Sequence, residues 1–227
     1  MSNTVKEFEA RVMLTEEEYL NIVSTYLKMY PNAQFLQNTN IYFDSSDLYL
    51  RRNHMTLRVR VVNDVYSELT LKIKGENGDD EINDKLTKKD LDLLVKEGVF
   101  PSGNVKNFLI GLSYPLSNYH YITTLVNRRL ELEIDGHLLV IDKNVYGDIV
   151  DYNLEVETTD TVRSANKALS NYIHQFNLSL AGKKYPGKAS RAIKAALNLD
   201  WLVVFNIFIL HAVIVLSTII IFACPFR

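Results

Sequence analysis

The chain has 227 residues, 47% apolar and 23% charged, with a net charge of −2. That length supports one domain with a sizeable core or two small ones. The near-neutral charge gives no basis for nucleic-acid binding by bulk electrostatics. The single cysteine, Cys224, excludes an intrachain disulfide and fits a reducing compartment.

Residues 5–13 alternate in polarity and predict a strand. Thr15-Glu16-Glu17-Glu18 is a capping box that opens a helix, and Pro31 follows its end. Strands follow near 35–44, 55–63 and 66–74, the last two joined by a tight turn at Val62-Asn63-Asp64-Val65. Residues 75–85 are rich in Gly, Asp and Glu and suit a polar loop or a strand approach, with a solvated loop the reading preferred. Thr87-Lys88-Lys89-Asp90 starts a second helix, and 105–112 suits another. Further strands are expected near 116–126, 128–135, 137–142 and 152–159, with a hairpin turn at Asp135-Gly136. Thr161 caps a helix through Phe176, and a last helix starts near Gly187.

From Trp201 to Phe226 no residue is charged. As a helix this stretch reaches about 35–40 Å, enough for a bilayer core of ~30 Å. Lys183, Lys184, Lys188, Arg191 and Lys194 precede it, which predicts a tail anchor with a cytoplasmic main domain. An abnormal C-terminus and a buried helix are the alternatives. The expected division is a domain at 1–198 and a hydrophobic segment at 199–227.

Charge repeats at strand spacing. Glu7-Phe8-Glu9-Ala10-Arg11 and Glu155-Val156-Glu157 each place two carboxylates on one strand face. Like charges side by side repel unless a cation lies between them, so these pairs suit a hard divalent ion. Arg58 and Arg60 alternate with apolar residues, as do Lys72 and Lys74. Arg129, Glu131 and Glu133 share one face of a further strand. A closed antiparallel barrel would turn these faces inward, making a charged lumen suited to a polyanion with its metal. The fold expected is therefore α+β, an eight-stranded antiparallel β-barrel with flanking helices and a C-terminal hydrophobic helix.

Several runs resemble a known family. Glu7-x-Glu9-x-Arg11 resembles the N-terminal ExExK signature of the CYTH family, the triphosphate tunnel metalloenzymes. Tyr42-Phe43-Asp44 followed by Leu57-Arg58-Val59-Arg60, then Leu71-Lys72-Ile73-Lys74, match its next motifs in order. Ile141-Asp142-Lys143, Tyr146 and Asp151-Tyr152-Asn153-Leu154-Glu155-Val156-Glu157 resemble its bacterial branch, and Lys188-Ala189-Ser190-Arg191 its C-terminal basic motif. The likeness spans about residues 5–197. It implies a tunnel that binds triphosphate with Mg²⁺ or Mn²⁺, in inorganic triphosphatases, thiamine triphosphatases, class IV adenylate cyclases and RNA triphosphatases. Arg11 departs from the family's lysine, and the apolar tail is not a family feature.

The resulting expectation is metal-dependent hydrolysis of a triphosphate, foremost inorganic triphosphate. Glu7, Glu9, Glu155 and Glu157 are expected to hold metal and, with Arg11, to form the catalytic group. Arg58, Arg60, Lys72, Lys74, Arg128 or Arg129, Lys188 and Arg191 are expected to bind phosphate; Arg suits bidentate contact. Glu131 and Glu133 are secondary acids. The alternatives are a cyclase, a thiamine triphosphatase, or a non-catalytic sensor of polyphosphate or nucleotide. His54, His120, His137 and His174 lack metal-ligand spacing.

Overall fold

A computed structural model describes residues 8–75, 78–112 and 114–197. Glu7 and the apolar stretch 201–226 lie outside the described residues, and with them the expectation of a tail anchor. No described helix is long and apolar enough to cross a membrane.

Eight strands form one antiparallel sheet: β1 (Phe8–Leu14), β2 (Phe35–Asp44), β3 (Met55–Val62), β4 (Tyr66–Gly75), β5 (Gly78–Lys85), β6 (His120–Ile134), β7 (His137–Tyr146) and β8 (Ile149–Thr158). Their order is β1-β8-β7-β6-β2-β3-β4-β5. The sheet curls until strands near both ends face one cavity, lined by Glu9 of β1 and by Lys72 and Glu81 of β4 and β5. The edge strands β1 and β5 do not pair with each other among the described residues.

The turns explain the hairpins. Asn63 and Asp64 both take positive φ (49° and 58°), as do Asp135 and Gly136 (50° and 77°), the two-residue geometry that matches strand twist. Two strand assignments differ from the sequence reading. Residues 78–85 form edge strand β5, not a loop: Asp79 and Glu81 pair in register with Lys74 and Lys72 on β4. Opposite charges across the ladder stabilise a strand whose residues have little strand propensity. The stretches 116–126 and 128–135 are not two strands. A 3₁₀ turn at Leu116–Asn118 leads into one strand of 15 residues, β6.

Helices pack against both faces of the sheet. They are α1 (Glu16–Met29), α2 (Tyr49–Arg52), α3 (Lys88–Glu97), α4 (Asn104–Gly111), α5 (Val162–Phe176) and α6 over 188–197. Thr15, Thr87 and Thr161 each close a capping box. One apolar cluster packs α1 and α5 on β1, β8, β7 and β6 through Ile22, Leu130, Leu139, Ile141, Leu154 and Leu169. A second packs α3 and α4 on β3 and β4 through Leu57, Leu69, Leu71, Leu94 and Leu109. Each such fully buried side chain contributes about 1.5–3 kcal/mol. These two apolar cores therefore lie outside the curl, and period-2 alternation sends the opposite, charged faces inward, where a third, smaller cluster packs Ala192 and Ile193 of α6 on Tyr42, Leu125 and Tyr146.

Candidate active site

The concave face encloses about 460 Å³. Glu9 and Arg11 enter it from β1, Arg58 and Arg60 from β3, and Lys72 and Lys74 from β4. Arg129 and Glu131 enter from β6, Glu155 and Glu157 from β8, and Lys188 from the start of α6. Eleven residues that the sequence singled out thus share one chamber.

Arg128 and Arg191 do not line it. Arg128 sits on the convex face, its guanidinium 3.8 Å from the Phe35 ring centroid. Its neighbour Arg129 therefore takes the inward position. Arg191 holds Asp151 bidentately, with Nε donating to Oδ2 at 2.7 Å and Nη2 to Oδ1 at 2.9 Å. That pair locks α6 to β8. Glu133 is exposed at the far end of β6.

The floor is a buried charge network. Arg129 grips Asp142 with two bonds, Nε to Oδ1 at 2.9 Å and Nη2 to Oδ2 at 3.0 Å. Lys188 Nζ donates to Asp142 Oδ2 and Glu155 Oε2, both at 2.6 Å. Asn127 Nδ2 also donates to Asp142 Oδ1 at 2.6 Å. Burial alone would raise the Asp142 and Glu155 carboxyls, yet both are held below their usual range. Lys188 is the largest lowering influence on each, followed by Arg129. In return the carboxylates hold Arg129 well above its usual value against burial. Asp142 was not singled out from the sequence as a site residue. Its signals are its place in the Ile141-Asp142-Lys143 motif and an acid ending the apolar run Leu138-Leu139-Val140-Ile141.

Glu9 behaves oppositely. Burial, reinforced by the Glu155 charge, pushes its carboxyl from 4.5 up to about 7, despite Arg11, Lys188 and Lys72. Arg11 Nη2 lies 2.5 Å from Glu9 Oε1, and Arg11 Nε lies 3.8 Å from Glu155 Oε1. Glu155 Oε1 is buried and accepts no hydrogen bond. The Glu9 and Glu155 carboxylates thus crowd one another, bridged by a guanidinium.

On the opposite wall Arg58 and Arg60 are loosely paired, while Lys72 is held by two acids. Arg58 Nη2 is 4.0 Å from Glu81, and its buried Nε has no hydrogen-bond partner. Lys72 Nζ sits 3.3 Å from both Asp79 and Glu81. Arg60 Nη1 is 3.8 Å from Glu68. Burial lowers Arg60 to about 10, with the charges of Arg58 and Arg129 adding to it. A wall of clustered, under-neutralised cations is a site for an anion of high charge. The β5 acids Asp79 and Glu81 were missed in the sequence because 75–85 read as a loop.

The family model for the CYTH domain matches residues 5–182. The chain belongs to the CYTH family. A Bacillus subtilis CYTH relative, named "Putative triphosphatase YjbK", is 31% identical over 172 residues, covering 76% of this chain and 87% of that protein. The structure also resembles a Bacillus halodurans protein solved as "a putative adenylate cyclase" (TM-score 0.74, 26% identity, 83% of this chain and 97% of that one). A Hippeastrum protein, presented as a "putative adenylyl cyclase" with a dominant triphosphatase activity, shares the fold at TM-score 0.65 and 16% identity. That match covers 78% of this chain and 92% of the Hippeastrum one. The CYTH assignment agrees with the eight-stranded curled sheet and with the order of the motifs along it.

Among the described residues no three His, Cys, Asp or Glu side chains form a metal cluster. The donors present nevertheless fit a hard cation. Glu155 keeps an orphaned buried oxygen, and Glu9 faces it with repulsive charge. Mg²⁺ is usually held by one or two carboxylates together with substrate phosphates, so no complete protein cage is needed.

Proposed function

We propose that this protein hydrolyses triphosphate compounds in a divalent-metal-dependent reaction, with inorganic triphosphate as the preferred substrate. The observation that carries this reading is the chamber itself. Loosely paired Arg58 and Arg60, together with Lys72, face the carboxylates Glu9, Glu155 and Glu157 across one cavity. The names of the Bacillus subtilis and Hippeastrum proteins support the same chemistry.

Arg58, Arg60, Lys72 and Lys74 bind the linear phosphate chain, the arginines through paired N–H donors. Glu9 and Glu155, with Glu7 and Glu157, would hold Mg²⁺ or Mn²⁺. A divalent cation, when bound, neutralises charge that develops on phosphate oxygens. Glu157 orients the attacking water. Oxygen of that water bonds to the terminal phosphorus, the bridging P–O bond breaks, and orthophosphate and diphosphate leave with one proton released. Arg129 and Lys188 fix the Asp142 and Glu155 carboxylates so that the acidic wall is preformed.

Phosphate release by the full-length chain tests this, with inorganic triphosphate, ATP and thiamine triphosphate in Mg²⁺, Mn²⁺ or EDTA. Metal-dependent release, fastest from inorganic triphosphate, is the expected result. Cyclic AMP formation from ATP would replace the proposal with a cyclase. Triphosphate binding without release would replace it with a sensor.

A further inference from the structure

Gly187 opens α6, its carbonyl accepting the first helical bond from Arg191 N at 3.0 Å. It faces the Arg11 side chain of β1. A Cβ on residue 187 would lie 2.6 Å from Arg11 Nη1, 3.6 Å from Cζ and 3.7 Å from Nη2. The missing side chain is what lets α6 approach the guanidinium. Its backbone φ is not in the left-handed region, so conformation does not demand glycine here. Space does.

The residues around Gly187 are pinned. Arg191 Nη1 donates to the Pro186 carbonyl at 2.8 Å, while its other nitrogens hold Asp151. On the other side Lys188 is fastened to Asp142 and Glu155. These bonds tie the start of α6 in place, so a methyl at position 187 is accommodated by displacing the end of the flexible Arg11 side chain. That end holds Glu9 through Nη2 and approaches Glu155 through Nε.

We infer that Gly187 is a positioning residue for Arg11. By leaving its Cβ site empty it sets the Arg11 guanidinium between Glu9 and Glu155 at the place where an anionic substrate meets the acidic wall. The inference rests on the proposed function only in calling that place a substrate site. The contact itself does not depend on it. Lysine at position 11 carries one terminal nitrogen and no fork, so it does not fill the space beside Gly187 in the same way. The specificity of the pair lies in that difference.

A double-mutant cycle of Gly187→Ala and Arg11→Lys tests it, in the full-length chain with EDTA. Calorimetry reads affinity for inorganic triphosphate, and thermal denaturation reads stability. Gly187→Ala is expected to weaken triphosphate binding at least fivefold in the Arg11 background. It is expected to change it less than twofold in the Arg11→Lys background. The melting temperature should fall with Gly187→Ala beside Arg11. Beside Lys it should hold or rise, because alanine restricts the unfolded chain. Equal effects in both backgrounds, or none in either, would overturn the inference. Should the wild-type chain bind no triphosphate, the functional reading fails. The melting temperatures then still decide whether positions 11 and 187 are coupled.

Discussion

Lys188 Nζ lies 2.6 Å from Glu155 Oε2 and 2.6 Å from Asp142 Oδ2, joining the first turn of α6 to β8 and β7 at once. A helix that follows the whole sheet in sequence thus supplies the cation that lets two buried carboxylates stand side by side. Without it, Glu155 and Asp142 would repel each other in a place that water barely reaches.

Lys188→Met keeps the aliphatic stem and removes the charge. Breaking a buried pair by deleting one partner costs about 3–5 kcal/mol, and the partial exposure of Lys188 brings the expected loss to ~2–3 kcal/mol. Urea denaturation at pH 7 measures it. A loss below ~1 kcal/mol would show that Arg129 alone neutralises both acids.

Arg58 and Arg129 separate binding from folding. Arg58 has one distant carboxylate partner and a buried Nε without any hydrogen-bond partner. Arg58→Ala should therefore weaken triphosphate binding at least tenfold and shift the melting temperature little. Arg129→Ala removes a bidentate buried pair and should cost several kcal/mol of stability as well. Calorimetric titration and thermal denaturation of both variants check the contrast. Unchanged affinity in Arg58→Ala would take that side chain out of the phosphate-binding wall.

Much of this chamber was legible because strand alternation carries charge as faithfully as it carries hydrophobicity. Arg58/Arg60, Lys72/Lys74 and Glu155/Glu157 each keep one parity, and the fold turns that parity inward. Where two cations are adjacent, parity alone does not choose between them. Arg128 and Arg129 were both candidates, and Arg128 proved to be stacked on Phe35. The total of eight strands was right for partly compensating reasons. Residues 116–135 counted as two strands although β6 is one, while β5 read as a loop. The stabilisation of β5 is tertiary, from Lys72 facing Asp79 and Glu81. Local propensity contains none of it. Asp142 stayed hidden for a related reason. One acid in an apolar strand has no partner within its own segment, and its partners lie on β6 and α6.

Glu9→Gln preserves side-chain shape while removing a charge that burial already disfavours. The variant should fold with an unchanged or higher melting temperature in EDTA and lose metal-dependent phosphate release by at least a hundredfold. Mn²⁺ titration followed by calorimetry gives an independent reading, with affinity expected to fall. Normal turnover in this variant would remove Glu9 from the site.

Acid sensitivity should trace largely to Asp142. Its folded carboxyl is held below the usual 3.8 because Lys188 and Arg129 outweigh the cost of burial. A lowered folded value means that the unfolded chain takes up the proton first. The stabilisation is therefore complete above about pH 5 and decays as pH falls below about 4 towards the folded value. Asp142→Asn cannot titrate and leaves Arg129 and Lys188 short of one partner. It should be markedly less stable than wild type at pH 7, by ~3 kcal/mol or more for a broken buried network. That gap should narrow steadily between pH 4 and pH 2, as the unfolded wild-type chain takes up a proton that the folded Asp142 does not. Urea midpoints of both proteins across pH 2–7 measure the difference. Glu155 shares Lys188 and titrates in the same direction, so some acid sensitivity persists in the variant. A gap that stays constant down to pH 2 would mean that the Asp142 charge contributes nothing, and that its hydrogen bonds, which asparagine partly keeps, hold the floor of the chamber together.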